Sequence, residues 1–188
     1  MNKVVLLGDS IRLIGYGKRV EELLGNQCVV WQPEDNCRFA KYTLRMLFDF
    51  QENIKGADVI HWNNGLWDVC DLFGDGPFTP LDEYVKNMLR IADLLESYGK
   101  KVIFATTTPT HPNCPHHKLE RIQRYNEAVV PALRERGVLI NDLFSVMLGH
   151  QIDGICEDQL HLSELGIELC TAQTVCAIQN ALGEKEII

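Results

Sequence analysis

Short, unbroken runs of apolar residues recur along the chain, and each is followed by a longer stretch in which apolar residues lie three or four positions apart. The runs are rich in β-branched residues and do not alternate with polar ones, which is typical of strands covered on both faces. They predict five strands, at residues 3–7, 28–31, 57–62, 101–105 and 138–140.

The intervening stretches have the apolar spacing of helices, at residues 11–24, 39–53, 80–98, 117–136, 142–147 and 163–182. Gly25, Gly99 and Gly137 are expected to end three of these helices. Thr79 is expected to cap the third helix, with Pro80 at its first position. Strands that alternate with helices predict βαβ units around a parallel sheet. The sequence therefore predicts an α/β fold, a three-layer α/β/α sandwich, in a single domain over residues 1–188.

The amino-acid composition argues against some classes of binding partner for this protein. A formal net charge of −8 argues against nucleic acid and against anionic membranes, both of which attract basic surfaces. No apolar run approaches the length of a membrane span, and no signal peptide is visible. The seven cysteines form no Cys-x-x-Cys pair, so we expect reduced thiols in a cytoplasmic protein. The sequence leaves the oligomeric state open.

The first predicted strand stops abruptly at Gly8-Asp9-Ser10. Ser10 comes where strand gives way to helix, so its hydroxyl is expected at the carboxyl edge of the sheet, where such sheets bind ligands. The backbone N–H groups of the next turn point to the same place and favour negative charge, as a serine nucleophile requires for its oxyanion. The alternative is that Ser10 only caps the helix, since Asp and Ser are both common caps.

The far end of the chain carries a partner for this serine. Asp158 precedes His161 by three residues, just ahead of the last predicted helix. A serine nucleophile needs a base, and a histidine base needs an acid that fixes its tautomer and stabilises the imidazolium. The alternative is a surface aspartate beside a capping histidine, which carries less weight once Ser10 is placed as a nucleophile.

The two ends of the chain resemble the first and last sequence blocks of the SGNH, or GDSL, hydrolases, in the stretches Gly8-Asp9-Ser10-Ile11 and Asp158-Gln159-Leu160-His161-Leu162-Ser163. The resemblance covers the whole chain in the family's order and implies a flavodoxin-like sandwich with five parallel strands. It further implies that Ser10 is the nucleophile, His161 the general base and acid, and Asp158 the residue that orients His161. No cofactor and no metal is implied.

The activity that the resemblance implies is hydrolysis of a small ester through an acyl-enzyme. Within the family, the substrate class that fits best is an O-acetylated carbohydrate, since no long apolar lid for a lipid chain is evident between the motifs. A thioesterase or lysophospholipase is the alternative enzyme. From a different class, the chain could be a binding protein that has lost catalysis, because two of its sequence blocks depart from the family.

Both departures concern the oxyanion hole. In the third block, Gly65-Leu66-Trp67-Asp68, a tryptophan stands where the family has the asparagine whose side-chain amide donates. Asn63 and Asn64 lie just upstream, at the end of the third strand, and either could supply the amide. Because adjacent strand residues point to opposite faces, only one of them should reach the site, and Asn63 is the first choice.

The second block of the family has a glycine whose N–H donates to the oxyanion. The matching loop here is Asp35-Asn36-Cys37-Arg38, which contains no glycine. A backbone N–H does not require a glycine, so we expect Cys37 or Arg38 to donate, together with the N–H of Ser10.

Three further residues are candidates for contact with substrate, namely Asp9, Arg12 and Trp67. For Arg12 the alternative is a solvated surface position, and for Trp67 it is packing in the core. The loop after the fourth strand carries a group of thiol and imidazole side chains whose spacing fits no zinc pattern, so we expect it to line the pocket rather than to hold a metal. Its members are His111, Cys114, His116 and His117.

Overall fold

A computed structural model of the chain describes residues 1–183 and contains a sheet of five parallel strands in the order β2-β1-β3-β4-β5. This arrangement confirms the predicted α/β class and the parallel sheet. The strands are β1 (Asn2–Leu7), β2 (Cys28–Trp31), β3 (Ala57–Asn63), β4 (Gly99–Ala105) and β5 (Leu139–Asn141).

Two groups of helices flank the sheet: α2, α5 and α6 pack side by side, and α1, α7 and α8 form the second group. Within residues 1–183, no helix combines the length and the apolar character that crossing a membrane would require. A π-helical turn, Ile11–Tyr16, precedes α1, and the helices are α1 (Gly17–Leu24), α2 (Ala40–Asp49), α3 (Gln51–Ile54), α4 (Leu66–Val69), α5 (Leu81–Tyr98), α6 (Leu119–Arg134), α7 (Leu143–Leu148) and α8 (Glu164–Leu182).

The central strand β1 shows why the apolar runs form the core. Val4, Val5, Leu6 and Leu7 are all 0–1% exposed, because helices cover both faces of this strand. Burial of a side chain of this kind contributes about 1.5–3 kcal/mol relative to exposure in water. The short edge strands β2 and β5 are only partly buried, so the core is centred on β1, β3 and β4.

Several helices begin, end or break at residues other than those predicted. The helix expected over 11–24 is divided at Gly15, whose φ of −104° and ψ of −113° are not helical. The helix expected over 39–53 is interrupted at Phe50, between α2 and α3. The prediction that Thr79 caps α5 is wrong, since Pro80 occupies the N-cap position and Leu81 begins the helix. Ser163, by contrast, caps α8 by accepting a hydrogen bond from the N–H of Gly166 at 3.3 Å.

The turn after β3 is tightly packed against the end of β4. Gly65 has a φ of +143°, and a Cβ placed on it would lie 2.0 Å from Oγ1 of Thr107. That hydroxyl donates to the carbonyl of Asn64 at 2.9 Å, so moving it aside would break this hydrogen bond. Glycine is therefore required here both by its backbone conformation and by the close approach of β4.

We expect Gly65→Ala to lower the free energy of unfolding by at least about 3 kcal/mol, because the new methyl group overlaps Thr107. Gly56→Ala is the matched control: Gly56 also has a positive φ, of +75°, but nothing lies within 4 Å of its added Cβ. That variant should lose only about 1–2 kcal/mol. Urea unfolding of both variants measures the difference, and equal losses would contradict the steric argument.

Candidate active site

The turn that carries Ser10 is built by the residue before it. Oδ1 of Asp9 accepts from the N–H of Ile11 at 3.0 Å, and the carbonyl of Asp9 accepts from the N–H groups of Arg12 and Leu13. The chain therefore changes from strand to helical turn within two residues. Ser10 is left half-buried at the carboxyl edge of the sheet, at the wall of a cavity.

Asp158 and His161 form a closed turn of their own. Nδ1 of His161 lies 2.6 Å from Oδ2 of Asp158, while the backbone N–H groups of Leu160 and His161 donate to Oδ1, each at 2.9 Å. Burial alone would raise the pKa of Asp158, but these hydrogen bonds outweigh it and lower the pKa to about 2. The ionised carboxylate thus accepts the Nδ1 proton, which leaves Nε2 of the neutral ring as the proton acceptor.

The structure brings these three residues, from opposite ends of the chain, to the same place. Ser10, Asp158 and His161 line both a cavity of about 570 Å³ and an adjoining one of about 210 Å³. The larger cavity has mostly apolar walls, which add Asn36, Leu66, Trp67, Cys70, Leu72, Phe78, Cys114, Pro115, His116, His117 and Leu160. The smaller cavity adds Ile11, Ile14, Gly15, Cys156 and Leu162.

Asp9 and Asn63 do not reach these cavities, contrary to expectation. Both are nearly or fully buried, and Nδ2 of Asn63 donates to Oδ1 of Asp9 at 2.8 Å. Oδ1 of Asn63 accepts from the hydroxyl of Tyr16 at 3.0 Å, and burial raises the pKa of Asp9. Gly8 makes room for this network, since a Cβ there would lie 1.9 Å from Oδ1 of Asn63. The geometry therefore gives no support to substrate contact by Asp9 or to an oxyanion amide on Asn63.

Asn64 is likewise used inside the protein. It is fully buried; its Oδ1 accepts from Oγ1 of Thr43 at 2.9 Å, and its Nδ2 donates to the carbonyl of Arg38 at 2.9 Å. Its side chain thus ties the loop after β2 to the end of β3. Asn64 does not line either cavity, so the geometry gives no support to the expected oxyanion donor at this residue either.

The backbone donors expected in the loop after β2 are occupied as well. The N–H of Cys37 donates to the carbonyl of Gly8 at 3.0 Å, and Sγ of Cys37 accepts from the N–H of Gly8 at 3.1 Å. The N–H of Arg38 donates to Oδ1 of Asn36 at 2.7 Å, in a residue whose φ is +47°. Each of these two N–H groups therefore already has a hydrogen-bond partner in the protein.

Arg12 is not a surface residue, and it lines neither cavity. Its side chain is fully buried, and the guanidinium donates to the carbonyls of Gly8, Pro33 and Asp35 at 3.1, 2.8 and 2.8 Å. The expected surface position is therefore wrong, because the guanidinium holds the loop after β2 against the end of β1.

Trp67 does lie at the wall of the larger cavity, and 37% of it is exposed. It is not isolated: Phe39 packs edge-on to Trp67 and to Phe78, with ring centroids 5.3 and 5.5 Å apart. The three rings form an aromatic wall beside the cavity. The sequence analysis did not identify Phe78, because the loop that carries it shows no local pattern that would place it near Ser10.

The loop after β4 lines the larger cavity through Cys114, His116 and His117. Nε2 of His117 lies 3.1 Å from the carbonyl of Leu66, which makes it the donor, and its Nδ1 is 3.5 Å from Sγ of Cys114. Nδ1 of His116 lies 3.0 Å from the carbonyl of Asp71. In the part of the chain that the structure describes, no three side chains of His, Cys, Asp or Glu converge as a metal site requires.

Asp68, which follows the cavity residue Trp67 in the chain, is buried. Its carboxylate accepts from the N–H of Ala40, at 3.0 and 3.3 Å to its two oxygens, and its carbonyl accepts from the N–H of Thr79 at 3.0 Å. Burial raises the pKa of Asp68 to about 7, despite these stabilising hydrogen bonds. The folded protein therefore takes up a proton at this residue over a range of pH in which the unfolded chain does not.

This proton uptake gives a testable pH dependence. Between about pH 4 and pH 7 the wild-type protein should lose stability as the pH rises, by at most about 4 kcal/mol from this group. The side-chain amide of the variant Asp68→Asn cannot ionise, so the loss from this group should be absent. Urea unfolding at four pH values checks the difference between the two proteins. Identical pH slopes would show that Asp68 does not titrate as its burial requires.

No family model matches the chain. A GDSL esterase/lipase from Oryza sativa subsp. japonica is similar to it in sequence, with 29% identity over 123 residues. The match covers 57% of this chain and 47% of the rice protein, so the chain spans about half the length of that relative.

Solved structures show the same fold over nearly the whole chain. The lipase/acylhydrolase from Enterococcus faecalis has a TM-score of 0.78 at 21% identity, with 96% of each chain covered. An acetylxylan esterase from Geobacillus stearothermophilus has a TM-score of 0.74 at 16% identity, with 98% of this chain and 95% of that chain covered. The chain therefore has the fold that its sequence resemblance implied, that of the SGNH, or GDSL, hydrolases.

Proposed function

We propose that the protein is a serine ester hydrolase that acts through an acyl-enzyme. The observation that carries the proposal is a cavity lined by both Ser10 and His161, a histidine oriented by the carboxylate of Asp158 at an Nδ1–Oδ2 distance of 2.6 Å. The relatives named above, which are esterases, lipases and acylhydrolases, support the same reaction class.

The proposed reaction uses the three residues in distinct roles. Oγ of Ser10 attacks the carbonyl carbon of the ester while its proton passes to Nε2 of His161. The C–O bond to the alcohol then breaks, and the alcohol leaves with that proton. Water, deprotonated by His161, attacks the acyl-enzyme and releases the acid and Ser10. Asp158 stays ionised throughout and stabilises the imidazolium of His161.

We expect Ser10→Ala and His161→Ala to lower kcat by at least about 10³-fold, and Asp158→Asn to be severe as well. A chromogenic acetyl ester measures the rates, and a fluorophosphonate should form its adduct on Ser10. The matched control is His150→Ala, because His150 also pairs with an aspartate three residues away, Asp153, at 3.2 Å, but does not line the cavities.

Two outcomes would contradict this proposal. One is an adduct on another serine, or none in a sample that hydrolyses esters. The other is a folded protein that binds esters but releases no acid, which would indicate a binding protein on the same fold. Chelators should leave the rate unchanged, since the proposed roles need only side chains of the protein.

For the substrate, two proposals compete. An O-acetylated carbohydrate is supported by the structural likeness to an acetylxylan esterase, whose name gives an acetylated polysaccharide as its substrate. A longer acyl group, as in a thioester or lysophospholipid, is favoured by the mostly apolar walls of the larger cavity, including Trp67, Leu72 and Phe78. We propose the longer acyl group, because a sugar would leave its hydroxyl groups unpaired against these walls. The thiols of Cys70 and Cys114 at the wall suit the reducing cytoplasm that we propose as its location.

The acyl preference is testable with acetyl, butyryl and octanoyl esters of one chromogenic alcohol beside an acetylated xylo-oligosaccharide. We expect kcat/KM to rise about tenfold from acetyl to butyryl, since each buried methylene contributes about 0.8 kcal/mol. Leu72→Trp, which narrows the cavity, should abolish the gain for octanoyl but spare acetyl. Leu148→Trp is the control, an equally exposed leucine outside the cavity. A preference for the acetylated sugar would support the carbohydrate proposal instead.

A further inference from the structure

The proposed reaction leaves a negative charge on the substrate oxygen, and the expected donors for it other than Ser10 are bonded inside the protein and line neither cavity. The amides of Asn63 and Asn64 are bonded to Asp9 and to the carbonyl of Arg38. The N–H of Cys37 is bonded to the carbonyl of Gly8. A hole with only the N–H of Ser10 would lack the second and third donors that stabilise such an intermediate.

The larger cavity contains a side-chain amide from a different loop. Asn36 lines this cavity together with Ser10, and among residues 1–183 it is the one Asn or Gln in the wall of either cavity. Oδ1 of Asn36 accepts from the N–H of Arg38 at 2.7 Å, which fixes the orientation of the amide group. Nδ2 has no hydrogen-bond partner in the described part of the chain, so both of its hydrogens are available to a ligand.

The loop around Asn36 is also rigidly held. The N–H of Asn36 donates to Oδ1 of Asp35 at 2.7 Å, and Oδ2 of Asp35 accepts from the hydroxyl of Tyr42 at 3.0 Å. The buried guanidinium of Arg12 donates to the carbonyl of Asp35 at 2.8 Å. A donor stabilises a developing charge best when it is in place before the reaction, because no free energy is then needed to reorganise it.

We propose that Nδ2 of Asn36 is the side-chain donor of the oxyanion hole, in place of an amide from the loop after β3. The proposal rests on the serine hydrolase reaction proposed above. Nδ2 and the N–H of Ser10 bind the substrate oxygen as it becomes negative, while Oδ1 stays bonded to Arg38. Asn36 is thus a catalytic residue that touches the reacting group. Because Asn36 supplies the amide, the asparagine position of the third block can be occupied by Trp67 without loss of that donor.

The variant Asn36→Asp distinguishes a catalytic role of Asn36 from a role in holding the loop. The aspartate keeps the oxygen that accepts from Arg38, but it replaces the donor NH₂ with an oxygen that repels the oxyanion. We expect kcat to fall about 10²–10³-fold with KM changed less than about threefold, the scale for losing one such donor. Asn36→Ala should show a comparable loss, and the rate at which a fluorophosphonate modifies Ser10 should fall in both variants.

The charge of the new aspartate needs its own control. Asn113→Asp adds the same charge in an exposed loop next to Cys114, a wall residue, and should keep near-full kcat. Rates are compared at the plateau of each pH profile, and circular dichroism confirms that each variant is folded. Near-full kcat in Asn36→Asp would overturn the proposal, and a loss only in Asn36→Ala would assign the residue to loop structure. If Ser10→Ala is itself active, the hydrolase proposal fails instead.

Discussion

The loops at the carboxyl edge of the sheet, where Ser10 lies, depend on one buried charge. Arg12 lies in the first turn after β1, and its guanidinium donates to the carbonyls of Gly8 and Asp35, among others. Burying a charge is costly unless its donors are satisfied, so the surrounding carbonyls cannot move away without a large loss of stability. The loop after β2, with Asn36, is therefore held in a fixed position relative to Ser10 before any substrate binds.

Three aspartates near this edge show how environment decides the role of a carboxylate. Burial raises the pKa of Asp9 and of Asp68, and both serve the structure by accepting backbone N–H groups. Asp158 is half-exposed, and its hydrogen bonds lower its pKa to about 2. Of these three carboxyl groups, Asp158 is the one whose pKa is lowered and that lies beside a histidine, as the proposed mechanism requires.

Local sequence patterns were enough to predict the sheet, its strands and the position of Ser10. A buried parallel strand needs a continuous apolar run, and the run that ends at Gly8 leaves Ser10 at the carboxyl edge. The pairing of Asp158 with His161 is also local, since a spacing of three residues within one turn brings the two side chains into contact. For these features the residues adjacent in the sequence largely determine the geometry.

The partner of each amide and N–H group near Ser10 was decided only by the tertiary structure. Asn63 and Asn64 stand at the correct end of β3, yet their amides bond to groups that are distant in sequence, at Asp9 and Arg38. The role of Arg12 was likewise decided by the tertiary structure, because its guanidinium is buried and donates to carbonyls of another loop. A buried polar group must find a partner in the protein, and which partner is nearest depends on how the loops pack, which no local pattern encodes.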